Sequence, residues 1–175
     1  MAENYKILLI EDDEVDQMVF KRMVKKEQLG YDLQVASSVS EARELIAERE
    51  NDTIIVDYNL GDGTAFDILE VISDTPVIFA TGAGNEEIAI KAMRAGAYDY
   101  LIKDINRSYL EVLPLVIDKA IKHNETEKQL ANYHQQLEIT VKKRTEELEE
   151  QKERLSVTFE SISDAIVAVG NNKLV

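Results

Sequence analysis

Four apolar runs in this chain stop at polar residues that have complementary chemistry. Ile7-Leu8-Leu9-Ile10 is followed by Glu11-Asp12-Asp13, and Thr53-Ile54-Ile55-Val56 by Asp57. Pro76-Val77-Ile78-Phe79-Ala80 is followed by Thr81-Gly82, and Tyr98-Asp99-Tyr100-Leu101-Ile102 by Lys103. In an open parallel sheet the C-terminal strand ends converge on one crevice, and ligands bind there. Acids, a hydroxyl and a lysine would then share one pocket. Hard divalent cations such as Mg²⁺ (or Mn²⁺) take carboxylates, waters and phosphate oxygens. Glu11, Asp12, Asp57 and the backbone carbonyl of Asn59 are the candidate metal ligands. Asp57 is a candidate carboxylate nucleophile toward phosphorus, giving an acyl phosphate, with the cation neutralising charge on the transferring group. Lys103 would pair with a phosphate oxygen as a mobile point charge, Thr81 would donate its hydroxyl to another, and Gly82 would leave room for the backbone to approach.

Each residue also has a plainer reading. Acids at strand ends are commonly turn residues or helix caps. Asp13, Glu14 and Asp16 fit a helix start, where negative charge suits the dipole. A lone lysine is most often a surface residue and a lone tyrosine a packing residue. The functional reading rests on joint placement, one polar residue or pair at the end of each of four runs.

The elements that must position these residues alternate along residues 6–118. Strands are expected near 6–11, 32–36, 53–57, 76–81 and 98–102. Most are continuous apolar runs, the pattern of strands buried on both faces. Helical spacing lies between them: Val15, Met18, Val19 and Met23 in the first helix, Ala42, Leu45 and Ile46 in the second. Phe66, Ile68, Leu69 and Ile72 mark a third, and Ile88, Ala89, Ala92 and Met93 a fourth. Ser40, Thr64 and Asn85 are the candidate caps, and Gly96 the stop of the fourth helix. Five such units predict an α/β fold, a doubly wound five-stranded parallel sheet with right-handed crossovers.

From about Ser108 the pattern turns helical and does not clearly stop. A helix over residues 108 to about 160 would be roughly 80 Å long, too long to bury itself on a small domain. Val141, Leu148, Leu155 and Ile162 recur every seven residues, with Leu130 and Leu137 at the alternate positions. This predicts a parallel two-stranded coiled coil. His134, Arg144 and Gln151 interrupt the seam, and such residues can set register at a cost in stability. The plain alternative is a solvated single helix. Beyond Leu155 the chain becomes apolar, through Phe159, Ile162 and Ala165-Ile166-Val167-Ala168-Val169. Gly170-Asn171-Asn172 reads as a turn after a strand. Some twenty residues cannot make a core alone, so the chain is expected to be a piece of a longer protein.

Bulk properties narrow the classes. The 175 residues are 45% hydrophobic and 31% charged, with no cysteine, so disulfides and thiolate metal sites are excluded. No uncharged apolar run approaches the ~20 residues of a membrane span, and Met1-Ala2-Glu3-Asn4 lacks the basic start of a signal peptide. No membrane association and a cytoplasmic location are therefore expected. The net charge of −14 is uneven: residues 1–118 hold 24 acids and 11 bases, residues 119–160 hold 9 and 8. An acidic first part argues against direct nucleic-acid binding, which needs clusters of lysine and arginine.

Residues 5–122 resemble the receiver domain of two-component response regulators. The resemblance is carried by Ile10-Glu11-Asp12, Asp57, Thr81-Gly82, Gly96-Ala97 and Tyr98-Asp99-Tyr100-Leu101-Ile102-Lys103. It implies a CheY-like, flavodoxin-like fold in which Asp57 accepts a phosphoryl group from a histidine kinase or phosphotransfer protein. It further implies Asp12 as a direct metal ligand, Glu11 as a water-mediated one, Thr81 and Tyr100 as a switch pair, and Asn59 and Ala83 as positions that tune phosphate lifetime. Two positions depart from the family: Asp104 stands where proline commonly follows the lysine, and Gly61 where proline is common in the loop after the acceptor. No bias to a cis bond is expected before Asp104. The end of the chain, Phe159–Val169, is similar to the opening of a PAS domain, and Val141–Leu148 to helical linkers of signalling proteins. The expected organisation is a receiver domain at 5–122, a coiled-coil signalling helix at 123–158 and the start of a PAS domain at 159–175, with a homodimer formed through residues 123–160.

Three rivals are open at this point. An aspartate-nucleophile phosphatase of similar fold would place its nucleophile after the first strand, whereas here the better candidate follows the third. A piece of a hybrid histidine kinase could phosphorylate His123 or His134, but Tyr133-His134-Gln135-Gln136-Leu137 lacks the acid that usually follows such a histidine. A scaffold using the receiver only to dimerise would not need the full set of acids, hydroxyl and lysine. The expectation is therefore a phosphorylation switch and not an enzyme.

Overall fold

The computed structural model describes the backbone of residues 4–82 and 86–171 and the side chains of residues 4–82 and 87–159. Five strands, β1 (Tyr5–Ile10), β2 (Tyr31–Ala36), β3 (Thr53–Val56), β4 (Val77–Gly82) and β5 (Asp99–Lys103), alternate with α1 (Glu14–Lys26), α2 (Val39–Glu48), α3 (Ala65–Leu69), α4 (Glu86–Arg94) and α5 (Tyr109–Asn171). All strand pairs are parallel, in the order β2-β1-β3-β4-β5. This is the expected doubly wound sheet. Its chain order reverses direction between β1 and β3, where open α/β sheets form their binding crevice.

The continuous apolar runs are buried on both sides, and alternate residues serve opposite faces. Leu8, Ile10, Ile54, Val56, Val77 and Phe79 pack against residues of α2, α3 and α4. Ile7, Leu9, Ile55 and Ile78 face Phe20 and Met23 of α1 and Leu113, Ile117 and Ala120 of α5. Helices packed on both faces hold the central strands, so the strand ends are fixed relative to one another.

Local caps set where the helices begin. Asp13 caps α1, its carboxylate accepting from the backbone of Val15 at 2.7 Å and Asp16 at 3.3 Å. The cap of α2 is Ser38 rather than the expected Ser40: the Ser38 hydroxyl accepts from Glu41 N–H. Ser40 lies inside the first turn and donates its N–H and hydroxyl to Asp62 at 3.0 and 2.8 Å. Thr64 precedes α3 as expected, with the Asp67 carboxylate accepting from its backbone and hydroxyl. Asn85 lies outside the described residues. Gly96 follows α4 with φ +99°, a left-handed conformation that favours glycine.

Both departures from the family pattern have local explanations. Gly61 has φ +60°, which the ring of proline forbids. Asp104 acts as a cap: its carboxylate accepts from the Ser108 hydroxyl at 2.9 Å and from Tyr109 N–H at 3.2 Å, at the start of α5. The described backbone contains no cis peptide.

The chain divides into two compact units, Met1–Thr126 and Glu127–Val175. In the second, the backbone of residues 160–171 continues α5. The expected strand at 165–169 and turn through Gly170-Asn171 are not formed; Asn172 lies outside the described residues. A lone strand would leave its backbone donors and acceptors without a neighbour, whereas a helix satisfies them internally. Among the described residues no helix is long and apolar enough to cross a membrane.

Candidate functional site

Glu11, Asp12, Asp57, Thr81 and Lys103 lie at or just past the C-terminal ends of β1, β3, β4 and β5. Register brings them together: Ile10 pairs with Val56, so Glu11 and Asp57 leave the sheet side by side, and Gly82 pairs with Lys103. Asp57 N–H donates to the carbonyl of Ile10 at 2.9 Å, fastening the end of β3 to β1. Ligand oxygens of Glu11, Asp12 and Asp57 all lie within 4.8 Å of one another. Glu11 is buried, Asp57 half-buried and Asp12 exposed, so the cluster runs from the interior to the mouth of an open crevice of about 490 Å³. Asn59 and Gly82 also line that crevice. Thr81 is buried, Tyr100 half-buried. Ala83 lies outside the described residues.

Lys103 organises the charges. Its Nζ donates to Glu11 Oε2 at 2.5 Å, to Asp57 Oδ2 at 3.0 Å and to Asp16 Oδ2 at 3.1 Å. Its side chain is 13% exposed, so these contacts operate in a medium that screens them weakly. Burial pushes the Glu11 carboxyl up to about 7, against the pull of the Lys103 ammonium, and the charges on Asp57 and Asp16 push in the same direction. Burial alone would lower the Lys103 ammonium, but Glu11 and Asp57 outweigh it and hold it above its usual value. The two directions agree: a partly buried pocket with more acids than bases favours the proton on Glu11 and on Lys103. The same excess of negative charge favours a cation. Oxygen donors without histidine or cysteine fit a hard divalent ion such as Mg²⁺.

Asp16 was expected only as a dipole-favoring residue in the first turn of α1. The structure places it on Lys103 as well, and its other oxygen lies 4.0 Å from Arg107. Neighbouring residues in sequence gave no signal of this, because the contact joins positions 87 apart. Tyr100 senses the site electrically: burial and the Asp57 charge both raise its phenol above the usual value. Gly82 has open space around the position a Cβ would occupy.

The family model for the response regulator receiver domain matches residues 7–113. The chain belongs to this family. It is 35% identical over 111 residues to the regulatory protein LuxO of Vibrio cholerae, covering 60% of this chain and 24% of LuxO. It is 37% identical over 103 residues to the acid tolerance regulatory protein ActR of Sinorhizobium medicae, covering 56% of this chain and 52% of ActR. A crystal structure of a receiver domain protein from Clostridium thermocellum superposes with a TM-score of 0.62 at 28% identity, over 70% of this chain and 98% of that one. The chain spans between a quarter and about half of these curated relatives, and the match falls on the receiver unit.

Proposed function

We propose that Asp57 is the phosphoacceptor of this receiver domain and that the donor is a phosphohistidine on a histidine kinase or phosphotransfer protein. The observation that carries the reading is the convergence of Asp57, Glu11 and Asp12 within 4.8 Å, with Lys103 donating to Asp57 at 3.0 Å. In the transfer, a carboxylate oxygen of Asp57 bonds to phosphorus while the phosphorus–nitrogen bond to the donor breaks. The electron pair leaves on the imidazole nitrogen, which takes a proton from solvent. Glu11, Asp12, Asp57 and the Asn59 carbonyl would hold Mg²⁺ or Mn²⁺, whose contribution is to neutralise charge on the phosphoryl oxygens. Lys103 follows the new negative charge away from its present carboxylate partners. Thr81 donates its hydroxyl to a phosphoryl oxygen, and Tyr100 responds to the altered space and field beside it. Asn59 and Ala83 are the positions we assign to tuning the lifetime of the phosphoryl group.

The readout rests on α5. Its heptads over residues 123–158 support transmission through a coiled-coil homodimer, and the sequence of Phe159–Val169 supports a PAS-type module as the receiver of the signal, with an output module beyond. A ligand shifts such an equilibrium only by its differential affinity for the two states, about 5.5 kcal/mol to move 1:99 to 99:1.

The test is incubation of the chain with Mg²⁺ and acetyl phosphate, followed by intact-mass measurement. The expected result is one added phosphoryl group, lost in Asp57→Ala and in excess chelator. Persistence in Asp57→Ala, or no gain in the wild type, overturns the assignment. Turnover of simple phosphate esters without a kinase would instead favour a phosphatase.

A further inference from the structure

Among its described residues, the second unit presents an exposed apolar helix face. Leu130, Leu137, Val141, Leu148 and Leu155 are between 44 and 64% exposed, yet they recur with heptad spacing along α5. Placing Val141, Leu148 and Leu155 at the a positions puts Leu130, Leu137, Arg144 and Gln151 at d. A strip of this kind is buried by another helix carrying the same repeat.

The residues flanking the strip decide which helix and in what orientation. In a parallel, in-register pair each g residue meets the e residue five positions later on the partner. For this chain those pairs are Tyr133 with Glu138, Thr140 with Thr145, Glu147 with Lys152, and Arg154 with Phe159. None sets like charges against each other, and Glu147 meets Lys152 twice by symmetry. Arg144 would lie against its own copy in the seam, but its Nη1 already lies 3.2 Å from Glu147 Oε2 of the same helix. Glu147 has a second oxygen for the partner. Sliding one helix by a heptad loses both a Val141, Leu148 or Leu155 layer and the Glu147–Lys152 pairs.

We infer that the occupant of this face is a second copy of the chain, parallel and in register, with Glu147 of each helix joining its own Arg144 to Lys152 of the other. This rests on the parallel dimeric reading of α5 above and deepens it by fixing the register and the Arg144–Glu147–Lys152 charge arrangement. A carboxylate at this position lets a cation stay in the seam without uncompensated repulsion and disfavors staggered alternatives.

The chain contains no cysteine, so one introduced thiol reports register without background. Sedimentation of the full chain should show a dimer. Leu148→Cys should form a disulfide between the two copies under mild oxidation. Glu147→Lys and Lys152→Glu should each weaken self-association about tenfold, equivalent to about 1.4 kcal/mol over the two symmetry-related exposed pairs. Mixing the two variants should restore it as a heterodimer, because each then offers the charges the other lacks. A monomer at all concentrations sinks the dimeric reading itself. A dimer without the disulfide, or with charge variants that neither weaken alone nor recover together, leaves dimerisation standing and overturns the register. Circular dichroism of each variant separates loss of pairing from loss of helix.

Discussion

The ammonium of Lys103 is divided among Glu11, Asp57 and Asp16, and only two of these three acids belong to the proposed metal and phosphate set. Asp16 competes with Asp57 for Lys103, which contacts both. Asp16→Asn keeps shape and hydrogen-bonding capacity while removing that competitor, and it lowers repulsion toward an anionic phosphodonor. At saturating Mg²⁺ the initial rate of Asp57 phosphorylation by acetyl phosphate should rise about fivefold, the equivalent of a charge contact near 1 kcal/mol. A rate that falls would mean that Asp16 holds Lys103 in its working position instead. The acids at strand ends were legible in the sequence because each follows an apolar run. Asp16 was not, because its partner Lys103, at the end of β5, is brought to it only by the fold.

At the scale of elements, the loop after Asp57 is tied to a different helix from the one it leads into. Asp62 accepts from Val39 N–H at 2.7 Å and from Ser40, closing the first turn of α2. These donors hold the Asp62 carboxyl below its ordinary value of 3.8. A folded-state value below the unfolded one contributes stability above about pH 4 that is lost as pH falls through the folded value. Asp62→Ala should therefore melt at a lower temperature than the wild type at pH 7, and the two curves should converge as the pH drops below 3.8. Gly63 adds a second constraint, since a Cβ there would stand 2.9 Å from Val39 Cγ2. Strand positions, and the placement of Asp57 at the end of β3, were readable from local periodicity. The capping of α2 was misassigned to Ser40 because both serines precede the same apolar spacing, and only the position of Asp62 distinguishes them.

At the scale of the whole molecule, the two compact units separate near Thr126. The receiver core closes over residues through Ile121, which is buried with Leu113 and Ile117. A chain ending at Thr126 should therefore fold, take up a phosphoryl group on Asp57 at a rate within about twofold of the full chain, and sediment as a monomer. Retained dimerisation in that fragment would move self-association to the receiver surface. The long helix was legible from the lack of glycine over residues 97–169 and from the heptads. Its continuation through residues 160–171 was not, because apolar β-branched residues there fit a strand equally well until a pairing partner is required.

Asp104 follows Lys103 directly and holds both Ser108 and Tyr109. The lysine proposed to follow the phosphoryl group and the residue that caps the start of α5 are therefore joined by a single peptide bond. News of a displaced lysine need not wait for a domain to swing, which takes microseconds to milliseconds. It can reach the first turn of the helix on the nanosecond-to-microsecond clock of a short loop, leaving the slower step to whatever the helix must then rearrange.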